Sequence, residues 1–131
     1  MNLASPLSSE LEDLARSVID AGFKVHQAFG PGLLESVYEA CLRIEFDKRG
    51  IAFESQAALP ITYGGVRLES GLRLDLLIEK SLIVEVKSVD HLVPLHQSQL
   101  LTYLKMSGLR LGLLMNFNVL RYAEGVKRVV R

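Results

Sequence analysis

The chain has 131 residues, with 15 basic against 15 acidic side chains, 49% apolar residues and 23% charged ones. That composition reads as one globular domain with a core of its own and excludes disorder over most of the length. It also excludes a disulfide scaffold, since Cys41 is alone, and a structural zinc site, since no four-residue Cys/His constellation exists. Nothing approaches the ~20 apolar residues of a membrane span. The N-terminus lacks a signal peptide's basic start and apolar run, so the expectation is a soluble, cytoplasmic protein with no membrane partner.

Ser9 followed by Glu12 reads as a capping box. Leu11, Leu14, Val18, Ile19, Ala21 and Val25 then recur at helical spacing, which predicts a helix over 10–29. Residues 1–8 are expected to be a flexible N-terminus, with a single domain over 9–131. Gly30-Pro31-Gly32 breaks the helix. A second helix is predicted from near Leu33, with Val37, Cys41, Leu42 and Phe46 on its apolar side, ending at Gly50.

From Ile51 the period becomes that of strands. Gly64-Gly65 fits a tight hairpin turn. Residues 72–78 and 82–87 form a second strand pair around Glu79-Lys80-Ser81. Residues 91–94 read as a loop, 95–107 as a third helix closed by Gly108, 109–117 as an apolar strand and 126–130 as a last strand. The order is α-α-β-β-β-α-β-β.

Charge is uneven. Residues 1–50 carry 8 acids and 5 bases, residues 51–104 carry 6 and 4, and residues 105–131 carry 1 and 6. The C-terminal excess (Lys105, Arg110, Arg121, Lys127, Arg128, Arg131) is either a solvated face or a phosphate-contacting surface.

The second strand pair carries the chemistry. By alternation, Leu72, Leu74, Leu76 and Ile78 share one face, and Arg73, Asp75 and Leu77 the other. A three-residue loop at Glu79-Lys80-Ser81 sets Ile78 opposite Leu82 and Asp75 opposite Glu85; a two-residue loop would move the two acids apart. Opposed residues have Cβ atoms ~5 Å apart, where two carboxylates repel. Either a divalent cation such as Mg²⁺ offsets that repulsion, or Lys87 and Arg73 simply pair the acids on a solvated face. The apolar run from Leu82 to Val86 favours a strand covered on both sides, where acids are rarely left unliganded. On the third helix Gln99 and Tyr103 share a face, with His96 three residues earlier. On the second, Glu35 and Tyr38 lie three apart.

Asp75 followed by Glu85-Val86-Lys87 resembles the acid, then acid-x-Lys, signature of the PD-(D/E)xK nuclease superfamily, with Leu74 where the motif nominally has Pro. Gln99-x-x-x-Tyr103 resembles an accessory motif of its exonuclease-like branches. Gly32-x-x-Glu35-x-x-Tyr38 is similar to the signature of the small prokaryotic GxxExxY proteins, a branch of that superfamily, and the likeness spans about residues 9–131. It implies an α/β fold with an α+β mixed sheet: two N-terminal helices, a β-meander, a crossover helix and further strands. It implies a nuclease with Mg²⁺ or Mn²⁺ held by Glu35, Asp75, Glu85 and the Val86 carbonyl. Lys87 and Gln99 would act on the attacking water or the phosphate, and Arg73 and Tyr103 would contact substrate. Gly32 and Tyr38 would be structural. The implied partner is nucleic acid, DNA rather than RNA, with a homodimer or a partner protein as a further expectation. The alternative is a catalytically weak nucleic-acid-binding or scaffold module on the same fold.

Overall fold

A computed structural model describes residues 5–131. The first helix, α1, spans Ser9–Phe29. Its cap is Ser8, whose Oγ accepts the Leu11 N–H at 3.1 Å, and not the expected Ser9. Of two adjacent serines only Ser8 is extended, and that choice puts Leu11 at the third helical position, so no capping box forms. Glu12 instead accepts two N–H groups of Arg128, at 2.9 and 3.3 Å.

Gly30 and Gly32 both take positive φ (65° and 103°), which makes the break before α2, Glu35–Arg49. This helix starts two residues later than expected because Leu34 is extended. It ends, as expected, at a left-handed Gly50.

The strands are β1 Phe53–Ala58, β2 Ile61–Tyr63, β3 Val66–Leu68, β4 Arg73–Ile78 and β5 Leu82–Lys87. There follow α3 Pro94–Ser107, β6 Leu111–Asn116, a 3-10 turn Tyr122–Gly125 and β7 Val126–Val130. Pro94 joins α3 rather than the preceding loop, at a first-turn position where its missing N–H is harmless. His96 Nδ1 accepts the Val93 N–H at 3.1 Å, so this histidine is a helix-start residue.

Five strands form one sheet in the order β1-β4-β5-β6-β7. Only β5 and β6 are parallel, joined across α3; the other neighbours are antiparallel. The expected order of three strands before the third helix is corrected to five: β1, β4 and β5 make the meander, and the hairpin turned at Gly64-Gly65 adds β2 and β3 as a two-stranded sheet of its own. Gly64 and Gly65 turn that hairpin with φ of 59° and 77°, the sign a two-residue hairpin turn needs.

Two cores sandwich the sheet. On one face Ala15, Val18, Ala21 and Val25 of α1 and Tyr38, Leu42 and Phe46 of α2 pack on Leu76, Ile78, Val84, Leu113 and Met115. On the other, Leu100, Tyr103 and Leu104 of α3 pack on Ile83 and Leu114. The first five residues of β5 and all six of β6 are buried. Each buried aliphatic side chain contributes ~1.5–3 kcal/mol, so these strands anchor the sheet.

One expected face is corrected. Leu74 does not share the core of Leu76 and Ile78; it joins the α3 side with Ala57 and Leu59. The β1–β4 ladder skips the Gln56/Asp75 position, where Gln56 is left-handed (φ 54°). Strict alternation fails there in both strands.

The segment 1–8 is expected to be a flexible N-terminus. Residues 1–4 lie outside the described residues. Leu7 packs on the α1 side core, and Arg110 donates to the Ser5 carbonyl at 3.0 Å.

Candidate active site

The loop Glu79-Lys80-Ser81 closes with Ile78 opposite Leu82, then Leu77 opposite Ile83 and Leu76 opposite Val84. Continued by one step, that register sets Asp75 against Glu85. The ladder stops there, because the side chains replace it. Asp75 Oδ2 accepts the Val86 N–H at 2.8 Å, and Glu85 Oε2 accepts the Asp75 N–H at 3.0 Å. Beyond this point β4 stays with β1 and β5 with β6. The sheet splits between β4 and β5, and the two carboxylates sit at the fork.

Glu85 is buried at 6% exposure, while Asp75 is half-buried. Burial, then the charge of Asp75, pushes the Glu85 carboxyl up to about 7, against the Asp75 N–H bond and the Lys87 ammonium. Burial also raises Asp75; the Val86 N–H opposes this, and Glu39 adds to it. Among the described residues neither Lys87 nor Arg73 forms an ion pair with these acids. The simple pairing reading of the two acids is therefore not what the structure holds. Lys87 is half-buried at the end of β5, and Arg73 is exposed at the start of β4.

Tyr103 of α3 reaches the same charges. Burial raises its phenol, and Glu85 and Asp75 raise it further. Gln99, one turn earlier, is exposed.

Glu35 is the first residue of α2 and is exposed. Its Oε2 accepts the Ser88 N–H at 3.1 Å, and Ser88 Oγ donates to the Leu33 carbonyl at 2.7 Å. The start of α2 is thus stitched to the residue after Lys87. A groove of about 400 Å³ opens there, lined by Leu33, Leu34, Glu35, Ser36 and Ser88.

Tyr38 holds the break together. Fully buried, it stacks on Phe117 at 4.5 Å and 10°. Its hydroxyl donates to the Gly30 carbonyl at 2.6 Å and accepts the Leu33 N–H at 3.1 Å. Tyr38→Phe leaves both groups without that partner and is expected to lower stability by about 1–3 kcal/mol, read by urea denaturation. An unchanged midpoint would mean water replaces the hydroxyl.

Two site neighbours escaped the sequence reading. Glu39, four residues after Glu35 on the same helix face, raises both Asp75 and Glu85. Gln56 takes its strained conformation opposite Asp75, at a cost of about 1–3 kcal/mol. The spacing of Glu35 and Glu39 was the available signal for the first; no local signal marks the second.

Among the described residues no three His, Cys, Asp or Glu side chains gather closely enough to hold a metal ion. Asp75 and Glu85 come together; Glu35 is bonded to the Ser88 N–H, and its charge adds to the rise of Asp75. The C-terminal basic residues are partly engaged elsewhere. Arg128 pairs with Glu12, Arg110 binds the Ser5 and Arg131 carbonyls, and Arg131 binds those of Gly108 and Leu109. No helix is long and apolar enough to cross a membrane among the described residues.

Neither the curated proteins nor the solved structures contain a significant match to this chain. Residues 12–129 match the family model of the PD-(D/E)XK nuclease superfamily.

Proposed function

Because this chain belongs to the PD-(D/E)XK nuclease superfamily, with the nuclease-like function that implies, we propose that it is a Mg²⁺- or Mn²⁺-dependent nuclease hydrolysing phosphodiester bonds. The observation that carries this reading is the pair Asp75 and Glu85. They face each other across a split sheet, each bonded to a backbone N–H and neither ion-paired. Two hard carboxylates suit a cation that takes one or two of them and completes its shell with water and phosphate.

Asp75 and Glu85 would hold the ion. The Val86 N–H already points at Asp75, and in a strand the carbonyl of the same residue points to the same side, which offers a third oxygen. When bound, such an ion lowers the pKa of a coordinated water and orients it toward the phosphorus. Lys87 places a positive charge on the face of Glu85, where it would position that water or stabilise charge on the phosphate oxygens. Glu35, beside the open groove, would meet the ion through water. Tyr103 would buttress the acids or touch phosphate, Gln99 would orient substrate, and Arg73 would hold a neighbouring phosphate. Gly32-x-x-Glu35-x-x-Tyr38 supports placement in the GxxExxY branch, with Gly32 and Tyr38 as its structural members.

The test is calorimetric titration of Mn²⁺, followed by a nucleic-acid cleavage screen. Asp75→Asn should bind no Mn²⁺ and cleave nothing. Lys87→Ala should fold and bind Mn²⁺ but lose about 10²–10³-fold in rate. An active, well-folded Asp75→Asn protein would sink the mechanism.

A further inference from the structure

Glu39 lies on α2, on the opposite side of the sheet from α3, and its charge acts on both acids at the fork. It is held by two donors from the edge strand. Ser55 Oγ donates to its Oε2 at 3.1 Å, and Gln56 Nε2 donates to its Oε1 at 3.0 Å. Consecutive strand residues normally point to opposite faces. Here both reach the same carboxylate, and Gln56 has a left-handed backbone (φ 54°). That conformation falls at the one position the β1–β4 ladder skips, opposite Asp75.

A tie between α2 and β1 needs none of this. A lysine or arginine on β1 would fix Glu39 more strongly and would screen its charge from Asp75 and Glu85. Two neutral donors leave the charge intact. Each Glu39 oxygen also keeps lone-pair capacity beyond the one bond it accepts.

We propose that Glu39 is a positioning carboxylate of the site, oriented by Ser55 and Gln56 to accept hydrogen bonds from water on a cation held by Asp75 and Glu85. This rests on the metal-dependent reading above. Outer carboxylates of this kind orient a site and typically change metal affinity 10–100-fold. Glu35, tied to Ser88, acts on Asp75 alone, whereas Glu39 acts on both acids, so the two are not interchangeable.

The test is Mn²⁺ calorimetry on the full chain, with melting curves recorded without metal. Glu39→Gln should weaken Mn²⁺ binding by about 10–100-fold without lowering the melting temperature, because a like charge near two acids has gone. Gln56→Gly keeps a residue that tolerates the left-handed backbone and removes the side chain that carries the donating amide. It should weaken Mn²⁺ binding in the same direction by a smaller factor. A purely structural tie would lower the melting temperature of both variants and leave Mn²⁺ affinity alone, which would overturn the proposal. If wild type binds Mn²⁺, Asp75→Asn does not, and Glu39→Gln binds as wild type does, this inference alone falls. If wild type takes up no Mn²⁺ at millimolar concentration, the metal-dependent reading falls and this one with it.

Discussion

Glu85→Gln is expected to melt about 5–10 °C above the wild type at pH 8, to melt with it near pH 4, and to lose Mn²⁺ binding and cleavage. Burial and the facing Asp75 carry the Glu85 carboxyl from an ordinary 4.5 to about 7. The folded chain therefore holds this proton more tightly than the unfolded chain does. The stabilisation is fully present below about 4.5 and is lost as pH rises to about 7. Above that, ionised Glu85 opposes folding by up to ~3 kcal/mol. Glutamine does not titrate, and its carbonyl oxygen can still accept the Asp75 N–H, so the variant escapes the penalty. The same substitution removes one of two facing carboxylates, so stability and activity should move in opposite directions. Melting curves in EDTA from pH 4 to pH 8 decide it. A variant that melts below the wild type at pH 8 would show that Glu85 is not held under strain.

Gly125→Ala is expected to cost more than about 3 kcal/mol, enough to lower the melting temperature by roughly 10 °C or more. A Cβ at this position would lie 2.0 Å from the Asn116 carbonyl oxygen and 3.0 Å from Val119 Cγ2. The first obstacle is backbone at the end of β6 and cannot swing aside. Asn116 is itself fixed: its Oδ1 accepts the Val89 N–H at 3.1 Å, and its Nδ2 donates to the Val89 carbonyl at 2.9 Å. It also pairs in register with Lys87. Moving Asn116 would therefore disturb the strand end that carries Lys87, and cleavage should fall along with stability. Gly65→Ala is the control. Its Cβ meets nothing within 4 Å, so it bears only the strain of a positive φ at an exposed hairpin tip.

Helix periods, the glycine breaks and the three-residue loop were legible because each is a local rule. The loop alone fixes Asp75 opposite Glu85, since register propagates along a ladder. The rest depended on contacts between distant segments. Strict alternation put Leu74 beside Leu76, and only the skipped Gln56/Asp75 step moves it to the other core. The Ser9–Glu12 spacing favoured Ser9 as the cap on paper; the extended backbone at Ser8 decides for Ser8 instead. Glu39 reads as an ordinary helix glutamate until β1 brings Ser55 and Gln56 to it. The charge count left the basic C-terminus open between a solvated face and a phosphate surface, because a count cannot see that Arg128 meets Glu12 and that Arg110 meets Ser5, each more than a hundred residues away.

The two outer strands of the sheet have a consequence of their own. An edge strand presents unpaired backbone groups that can template another chain. β7 sits at one edge with Lys127 and Arg128 both exposed. A second copy aligned against it would bring these cations toward its own. β1 sits at the other edge, where the left-handed Gln56 breaks the regular run of bonding groups and Glu54 is exposed. Charge marks one margin and backbone irregularity the other, and both features work against pairing of a second copy at the sheet edges.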